Sequence, residues 1–202
     1  MAELMRHDLV WLKDDCASIS PVYVVTSQNS TIPSGYISIA CSLTPDKSTL
    51  SRKCFTVPIS NILRHEHPIC LNELMSMDKL QALPKPLLQK FENIGVTIRV
   101  YGSFSWEYLT EKKFTTPDSD LDLLFCLPES FSLSDKHDSS VILSKLHELI
   151  MLLEYVCPYK IDGEIVLPNG TFIAWREWFN KDSKVIIKTT YAISILDKSE
   201  VL

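Results

Sequence analysis

The stretch Ser119–Leu127, SDLDLLFCL, constrains this chain most because it places two acids at the start of an apolar run. Strands normally avoid Asp, yet the residues that follow are typical of a buried strand. Residues two apart on a strand share a face, so Asp120 and Asp122 are predicted to point the same way, opposite to the core-facing leucines. Adjacent carboxylates repel and raise each other's pKa unless a cation neutralises them. The pattern therefore predicts an aspartate pair that serves chemistry rather than packing.

A second signal, Gly102-Ser103, ends the predicted strand VTIRVYGS and is separated from Asp120 by sixteen residues. A glycine turn between a strand and a helix lets backbone N–H groups approach a phosphate, and the serine hydroxyl adds a donor. Mg²⁺ takes carboxylates together with phosphate oxygens, and two metal ions about 4 Å apart clamp an in-line displacement at phosphorus. The two signals together predict a cleft with a polyphosphate on one wall and metal ions on the other.

Composition narrows the class of protein. The 202 residues are 46% hydrophobic and 22% charged, and their formal charge of −5 argues against broad nucleic-acid binding, which favours a basic face. No apolar run approaches the ~20 residues that a membrane helix needs, so no membrane partner is expected. The first residues, MAELMRHDLVWLKDD, contain acids and a histidine instead of the apolar stretch of a signal peptide, which predicts a cytoplasmic protein. The six cysteines form no CxxC pair and are expected to be reduced.

The chain is predicted to be an α+β protein with two parts. A boundary is placed near Pro84 and Pro86, because proline breaks regular structure, and it divides an N-terminal α+β domain (1–85) from a larger domain (86–202). The first is predicted to contain strands at 22–26, 36–42 and 53–57, and short helices at ISNILRHE and LNELMSM. The second is predicted as helix–strand–helix–strand–helix–strand–hairpin, a mixed sheet flanked by helices.

The strand–Gly-Ser–D-x-D combination resembles the signature of polymerase-β-type nucleotidyltransferases, although the spacer is longer than is usual in that superfamily. One family within that superfamily resembles this chain over several further segments. The segments that resemble the phosphoribosyl-dephospho-CoA transferases, the holo-acyl-carrier-protein synthases of malonate decarboxylase, are RHDLVWL, YGSFSWEYLT, SDLDLLF, IDGEIVLPNGTFIAWREW and VIIKT. They occur in the same order from Arg6 to about Thr189, and the long spacer is part of this match.

The resemblance implies a nucleotidyltransferase-like fold and a transfer reaction. The substrate would be 2′-(5″-triphosphoribosyl)-3′-dephospho-CoA, and the partner would be the apo acyl carrier protein of malonate decarboxylase. A serine hydroxyl of the carrier attacks the α-phosphorus, diphosphate leaves, and a phosphodiester remains. Such chemistry depends on positioning and charge neutralisation by metals, N–H donors and cations. The implied cofactor is Mg²⁺, as two ions, with Mn²⁺ as the alternative.

The resemblance also implies roles for individual residues. Asp120 and Asp122 would hold metal, with a third carboxylate from a later strand, for which Asp162 is preferred and Glu164 is the alternative. Gly102 and Ser103 would hold the triphosphate. The cations expected near the phosphates are Arg176 and Lys188, which lie in matching stretches.

Other interpretations stay open at this point. The same signature fits a nucleotidyltransferase acting on another small molecule or protein, and it fits a nucleotidyltransferase-like module without catalysis, although such a module has no need of clustered acids. His7-Asp8 is either a catalytic pair or the structural start of the chain. Transfer of label from the triphosphoribosyl-dephospho-CoA precursor to an apo-carrier would distinguish the phosphoribosyl-dephospho-CoA transferase interpretation from these alternatives.

Overall fold

In the computed structural model, which describes residues 4–13, 22–28, 31–42, 52–132 and 136–201, the first of two sheets is antiparallel throughout. Its strand order is β4-β3-β2-β1-β5. The strands at the two edges of the sheet contain no buried residue, the three central strands do, and all five are short. They are β1 (Leu9–Leu12), β2 (Tyr23–Val25), β3 (Tyr36–Ser42), β4 (Arg52–Pro58) and β5 (Ile62–Glu66).

The second sheet is mixed and has the order β12-β11-β10-β9-β8-β7-β6. Among its described strands β8 and β9 run parallel, and the other neighbours are antiparallel. The strands are β6 (Ile69–Cys70), β7 (Thr97–Val100), β8 (Leu121–Cys126), β9 (Ile161–Val166), β10 (Phe172–Ala174), β11 (Lys184–Lys188) and β12 (Ile193–Asp197).

Helices cover one face of the second sheet. The ring of Phe91 in α2 (Lys85–Asn93) stacks on Phe125 in β8, with ring centroids 5.9 Å apart, and the apolar side of α4 (Lys136–Val156) joins the same core. Leu121 and Leu123 point into this core and are fully buried. Asp122 must therefore lie on the opposite face of the sheet. The helices are α1 (Leu71–Leu74), α2 (Lys85–Asn93), α3 (Gly102–Thr110), α4 (Lys136–Val156), α5 (Trp175–Phe179) and α6 (Lys198–Val201).

The predicted α+β class and the mixed C-terminal sheet flanked by helices are confirmed. The helix predicted for ISNILRHE is wrong: a 3₁₀ turn at Ile59–Asn61 is followed by strand β5, which pairs with β1. Pairing with β1 satisfies the backbone there, so tertiary context overrides a weak local preference. The predicted helix LNELMSM shortens to the single turn of α1.

The division at residues 85 and 86 stays a prediction. In the structure, β6 and α1 precede that point, and β6 already pairs with β7 of the second sheet. The predicted hairpin near the end of the chain is present as β10 and β11, with α5 between them. No helix in the described ranges is both long and apolar enough to cross a membrane. The described cysteines are all free, and Cys16 lies outside the described residues.

Candidate active site

The parallel pairing of β8 with β9 sets two carboxylates side by side. Asp122 is the direct register partner of Asp162, so both side chains leave the same face of the sheet, away from the helices. Asp120 lies one residue before β8, and its Oδ2 accepts a hydrogen bond of 3.1 Å from Lys160 Nζ. The structure thus brings the three predicted carboxylates to the end of the sheet where β8 and β9 begin.

The charge state of Asp122 reflects this crowding. Burial raises the pKa of its carboxyl group, and the neighbouring carboxylates of Asp162 and Asp120 raise it further, to about 7. Each additional negative charge disfavours the ionised form, whereas a bound cation would favour it. Without a cation, the carboxylates of Asp120, Asp122 and Asp162 therefore repel one another, and binding of a divalent cation would reduce this repulsion.

Gly102 lies against the same carboxylate. The backbone N–H of Tyr101 donates to the carbonyl oxygen of Asp122 at 3.1 Å, and α3 begins at the next residue. Gly102 has a φ of +69°, and a Cβ built on it would lie 2.8 Å from Asp122 Cγ, closer than any real contact of this kind. Ser103 follows in the first turn, half-buried. The Gly-Ser and D-x-D signals, separate in sequence, therefore meet at the start of α3.

The long spacer between these signals is an ordered helix and an anchored loop. Glu107 in α3 accepts hydrogen bonds from the backbone N–H groups of Phe114 (3.1 Å) and Thr115 (2.9 Å), and it forms an ion pair with Lys79. Burial raises the pKa of Glu107, but the hydrogen bonds from Lys79 and Thr115 outweigh it and lower the pKa to about 2. Glu107 thus fixes the loop that leads to Asp120.

Glu164 has a different environment from Asp162, although both lie on the same face of β9. Its Oε2 is 2.5 Å from Arg6 Nη1 and 3.1 Å from His7 Nε2, and its Oε1 accepts from Lys188 Nζ at 2.9 Å. Burial raises the pKa of Glu164, and the hydrogen bonds from His7 and Arg6 reverse this and hold the pKa well below its usual range. With both oxygens already engaged, Glu164 is less available for a metal ion than the exposed Asp162.

The acidic side chains of this face are possible ligands for Mg²⁺. Within the described ranges, no three His, Cys, Asp or Glu side chains converge as a complete metal site. Asp122 and Asp162 nevertheless offer the oxygen donors that Mg²⁺ prefers, and Mg²⁺ usually binds through one or two carboxylates plus water and substrate phosphate oxygens. The carboxylates present therefore fit the ion.

The two cations predicted near the phosphates occupy different places. Lys188 Nζ donates to Glu164 Oε1 on the carboxylate face, which is the face of the second sheet that carries Asp122 and Asp162. Glu164 and its partners Arg6, His7 and Lys188 form the Glu164 cluster. Arg176 in α5 forms an ion pair with Glu154, donates to the carbonyl oxygen of Ile161 at 2.9 Å, and lies over the Trp175 ring. Its side chain is held next to the residue that precedes Asp162, with part of its charge already compensated.

Several side chains that reach this face were not among the predicted site residues, and they include Arg6, His7 and Lys160. His7 is buried, has a φ of +71°, and packs its ring 4.2 Å from the ring of Tyr101. A non-glycine residue with positive φ is uncommon and costs conformational energy, so the surrounding structure must hold it there. The sequence offered His7 as half of a possible His7-Asp8 pair, whereas its ring lies against Glu164 and Asp8 lies against His67. No spacing rule connects Arg6 or His7 with Glu164.

The fold and the site define an α+β protein with carboxylates on two adjacent strands beside a glycine at a helix start. Residues 70–199 match the family described as phosphoribosyl-dephospho-CoA transferase MdcG C-terminal domain. The match covers well over half of the chain, and the chain belongs to this family.

Curated relatives named phosphoribosyl-dephospho-CoA transferase extend the similarity to both sheets. The chain is similar to one from Xanthomonas campestris pv. campestris (strain 8004), 26% identical over 215 residues that cover 96% of this chain and 94% of the relative. It is also similar to one from Xanthomonas axonopodis pv. citri (strain 306), 25% identical over 213 residues with the same coverage. A Pseudomonas aeruginosa relative is 29% identical over 135 residues, 67% of this chain and 57% of the relative. No solved structure matches the chain.

Proposed function

We propose that this chain transfers the 2′-(5″-triphosphoribosyl)-3′-dephospho-CoA prosthetic group to a serine of the apo acyl carrier protein of malonate decarboxylase. The product is the holo-carrier, and diphosphate is released. Membership of the family and the names of the curated relatives support the donor substrate. A cytoplasmic site of action belongs to the same proposal.

One observation carries the proposal at the level of the site. Asp122 faces Asp162 across the β8–β9 register, and the missing Cβ of Gly102 leaves the Asp122 carboxylate room at the start of α3. A helix N-terminus favours an anion, and paired carboxylates favour a divalent cation. The two preferences meet at one place, which is what transfer from a triphosphate requires.

Asp120, Asp122 and Asp162 would hold Mg²⁺, as two ions, with Mn²⁺ as the alternative. When bound, such ions neutralise charge on the transferred and leaving phosphates. The engagement of Glu164 with Arg6, His7 and Lys188 favours Asp162 over Glu164 as the third carboxylate.

The remaining residues would position the substrate. The first-turn N–H groups of α3 and the Ser103 hydroxyl would donate to the triphosphate, and Lys188 and Arg176 would add positive charge. The carrier serine, deprotonated on attack, forms a new O–P bond at the α-phosphorus while the bond to the diphosphate breaks. Positioning and charge compensation of this kind account for most of the catalysis of phosphoryl-type transfer.

The test combines labelled triphosphoribosyl-dephospho-CoA, apo-carrier and Mg²⁺ with the purified protein. Label is expected on the carrier, and Asp122→Asn is expected to lower kcat by about 10³-fold, the scale on which loss of one charge-stabilising group acts. Asp118→Asn, an exposed aspartate of the loop before β8, serves as the matched control and should retain activity. An unlabelled carrier together with transfer from ATP to another acceptor would contradict the proposed acceptor, and a fully active Asp122→Asn variant would contradict the metal assignment.

A further inference from the structure

The segment Met5–Asp8 folds as a tight turn that reaches from the first sheet to the carboxylate face of the second. The N–H of Asp8 donates to the carbonyl oxygen of Met5 at 3.1 Å, and the N–H of Met5 donates to Asp8 Oδ2 at 2.8 Å. The N–H of His7 donates to the carbonyl oxygen of Val25 in β2 at 2.9 Å, which anchors the turn to the first sheet. The positive φ of His7 is thus maintained by bonds on both sides, and strain held in this way is common at functional sites.

The turn delivers Arg6 to Glu164, which also binds Lys188 of β11. The Arg6 guanidinium and the His7 ring share Oε2, while the Lys188 ammonium binds Oε1, so the two cations flank one carboxylate. Because two cationic side chains surround a single carboxylate, the cluster keeps a net positive charge even with His7 neutral. Burial lowers the pKa of His7, which favours the neutral ring.

The Arg6 and Lys188 side chains are more exposed to solvent than the Glu164 carboxylate that binds them. The Glu164 side chain is 5% exposed, whereas the side chains of Arg6 and Lys188 are 17% and 27% exposed. A guanidinium has five N–H donors and an ammonium has three, so both groups retain donors beyond those directed at Glu164. The buried Glu164 carboxylate therefore holds both cations in place while part of each cation faces solvent.

These cations lie beside the proposed reaction site. Glu164 is two residues from Asp162 on the same face of β9, a separation of about 7 Å along a strand. Arg6 also lines a cavity of about 310 Å³ whose apolar lining includes Leu124, Val166 and Phe172 and whose charged lining also includes Asp8, Arg99 and Glu129. A cavity of this size, with a cation on its wall and apolar lining residues, suits part of a phosphorylated ligand that carries an organic arm.

We propose that Arg6 and Lys188 form a binding site for a phosphate or diphosphate group of the substrate, and that Glu164 is the positioning residue that holds both cations in place. This rests on the proposed function, and it gives the N-terminal segment a role in substrate binding. Fixed, charged donors bind phosphate more strongly than mobile ones because less side-chain entropy is lost on binding.

The test measures binding of inorganic diphosphate by titration calorimetry, without carrier protein and with a chelator present, so that neither transfer nor a metal ion contributes. Arg6→Gln and Lys188→Gln are each expected to weaken diphosphate binding about tenfold, the loss expected for one charge-assisted hydrogen bond. The matched controls are Arg64→Gln, on exposed β5, and Lys184→Gln, at the other end of β11, and neither should change the affinity.

Glu164→Gln distinguishes positioning from simple charge. The substitution makes the cluster more positive, so a role limited to charge predicts tighter diphosphate binding. A positioning role predicts weaker binding, because the cations lose the carboxylate that orders them. Far-UV circular dichroism establishes that each variant is folded at the temperature of the titration.

Two results would overturn the inference: unchanged affinity in folded Arg6→Gln and Lys188→Gln, or tighter binding by Glu164→Gln. If Arg6→Gln does not fold, Arg6→Lys replaces it. Lysine keeps the charge and loses the planar guanidinium group, so diphosphate binding should weaken by about threefold. Unchanged affinity in both Arg6→Lys and Lys188→Gln would also contradict the proposed site. Transfer to the carrier with these null effects would leave the proposed function standing. The predicted binding losses without any transfer would contradict the proposed function and support the anion site.

Discussion

A side chain at residue 102 would collide with the carboxylate of Asp122, since its Cβ would lie 2.8 Å from Asp122 Cγ. Gly102 also has a φ of +69°, which L-residues other than glycine adopt at a cost. These two constraints are separable, because Gly35 has a similar φ of +81° with no atom of the described residues within 4 Å of the position of its Cβ.

Gly102→Ala is therefore expected to abolish most transfer activity by displacing Asp122, and to lower the free energy of unfolding by about 2 kcal/mol. Gly35→Ala is the control for conformational strain alone and should cost about 1 kcal/mol without loss of activity. Urea unfolding and kcat/KM measure the two effects. Equal activity in the two variants would show that the Gly102–Asp122 contact is unimportant for catalysis.

The sequence allowed Asp120, Asp122, Gly102 and Ser103 to be proposed together, because strand alternation and glycine chemistry are local properties. It could not reveal that Arg6 meets Glu164, which lies 158 residues further along the chain. Likewise, the pairing of Lys160 with Asp120 depends on where α4 returns the chain to the sheet. Contacts of this kind follow from the topology of the fold and produce no periodic pattern in the amino-acid sequence.

At the scale of elements, the connection from α3 to β8 is held by one carboxylate. Glu107 binds Lys79 as well as the backbone of Phe114 and Thr115, and it is largely buried. Its folded pKa of about 2 lies below the ordinary value of 4.5, so the ionised form stabilises the folded chain. That stabilisation is present above pH 4.5 and is lost as the pH falls towards 2.

Glu107→Gln is expected to reduce the free energy of unfolding by about 2 kcal/mol at pH 7, the range measured for hydrogen bonds to charged groups. The difference between wild type and variant should shrink steadily below pH 4.5. Urea titrations at several pH values measure it, with the exposed Glu148→Gln in α4 as the control. A difference that is independent of pH would contradict the assigned ionisation.

The parallel contact between β8 and β9 depends on Gly163. A Cβ on this residue would lie 2.8 Å from the carbonyl carbon of Leu123, and the φ of +147° also favours glycine. The absence of a side chain permits the close approach that places Asp122 opposite Asp162.

Gly163→Ala is expected to destabilise the protein by about 3 kcal/mol, because the collision is with backbone that cannot move without breaking the ladder. Gly170→Ala, at a φ of +76° where the Met5 sulfur at 3.5 Å is the nearest atom among the described residues, should cost about 1 kcal/mol. Denaturant midpoints at constant m-value compare the two. Equal midpoints would show that β8 and β9 can separate to accept the methyl group.

At the scale of the whole molecule, the N-terminal turn links the two sheets. Arg6 and His7 bind Glu164, and the N–H of Gln28 donates to the carbonyl oxygen of Thr190 at 2.6 Å. The Glu164 carboxylate is buried, in contrast to the Arg64–Glu66 pair on β5, whose side chains are 56% and 54% exposed. Ion pairs differ in energetic weight according to this burial.

Glu164→Gln should lower the free energy of unfolding by about 3 kcal/mol, because it removes the charge of the buried carboxylate and leaves the partly exposed Arg6 and Lys188 without their partner. The exposed Glu66→Gln should cost less than about 0.5 kcal/mol. Thermal and urea unfolding, followed by tryptophan fluorescence and far-UV circular dichroism, provide the comparison. Similar losses in both variants would mean that the Glu164 cluster contributes no more than a surface pair.

The amino-acid sequence by itself determined the elements with strong local patterns, such as β8 and α4, and the α+β class. It also determined the chemical character of the aspartate pair and Gly-Ser, because side-chain spacing and glycine preferences act over a few residues. It failed at β5, where pairing with β1 outweighs local preference. Only the tertiary structure decided that Asp122 faces Asp162, that Gly102 touches Asp122, and that Arg6 reaches Glu164. Those contacts depend on strand register and on how distant segments pack, and both are properties of the assembled sheets.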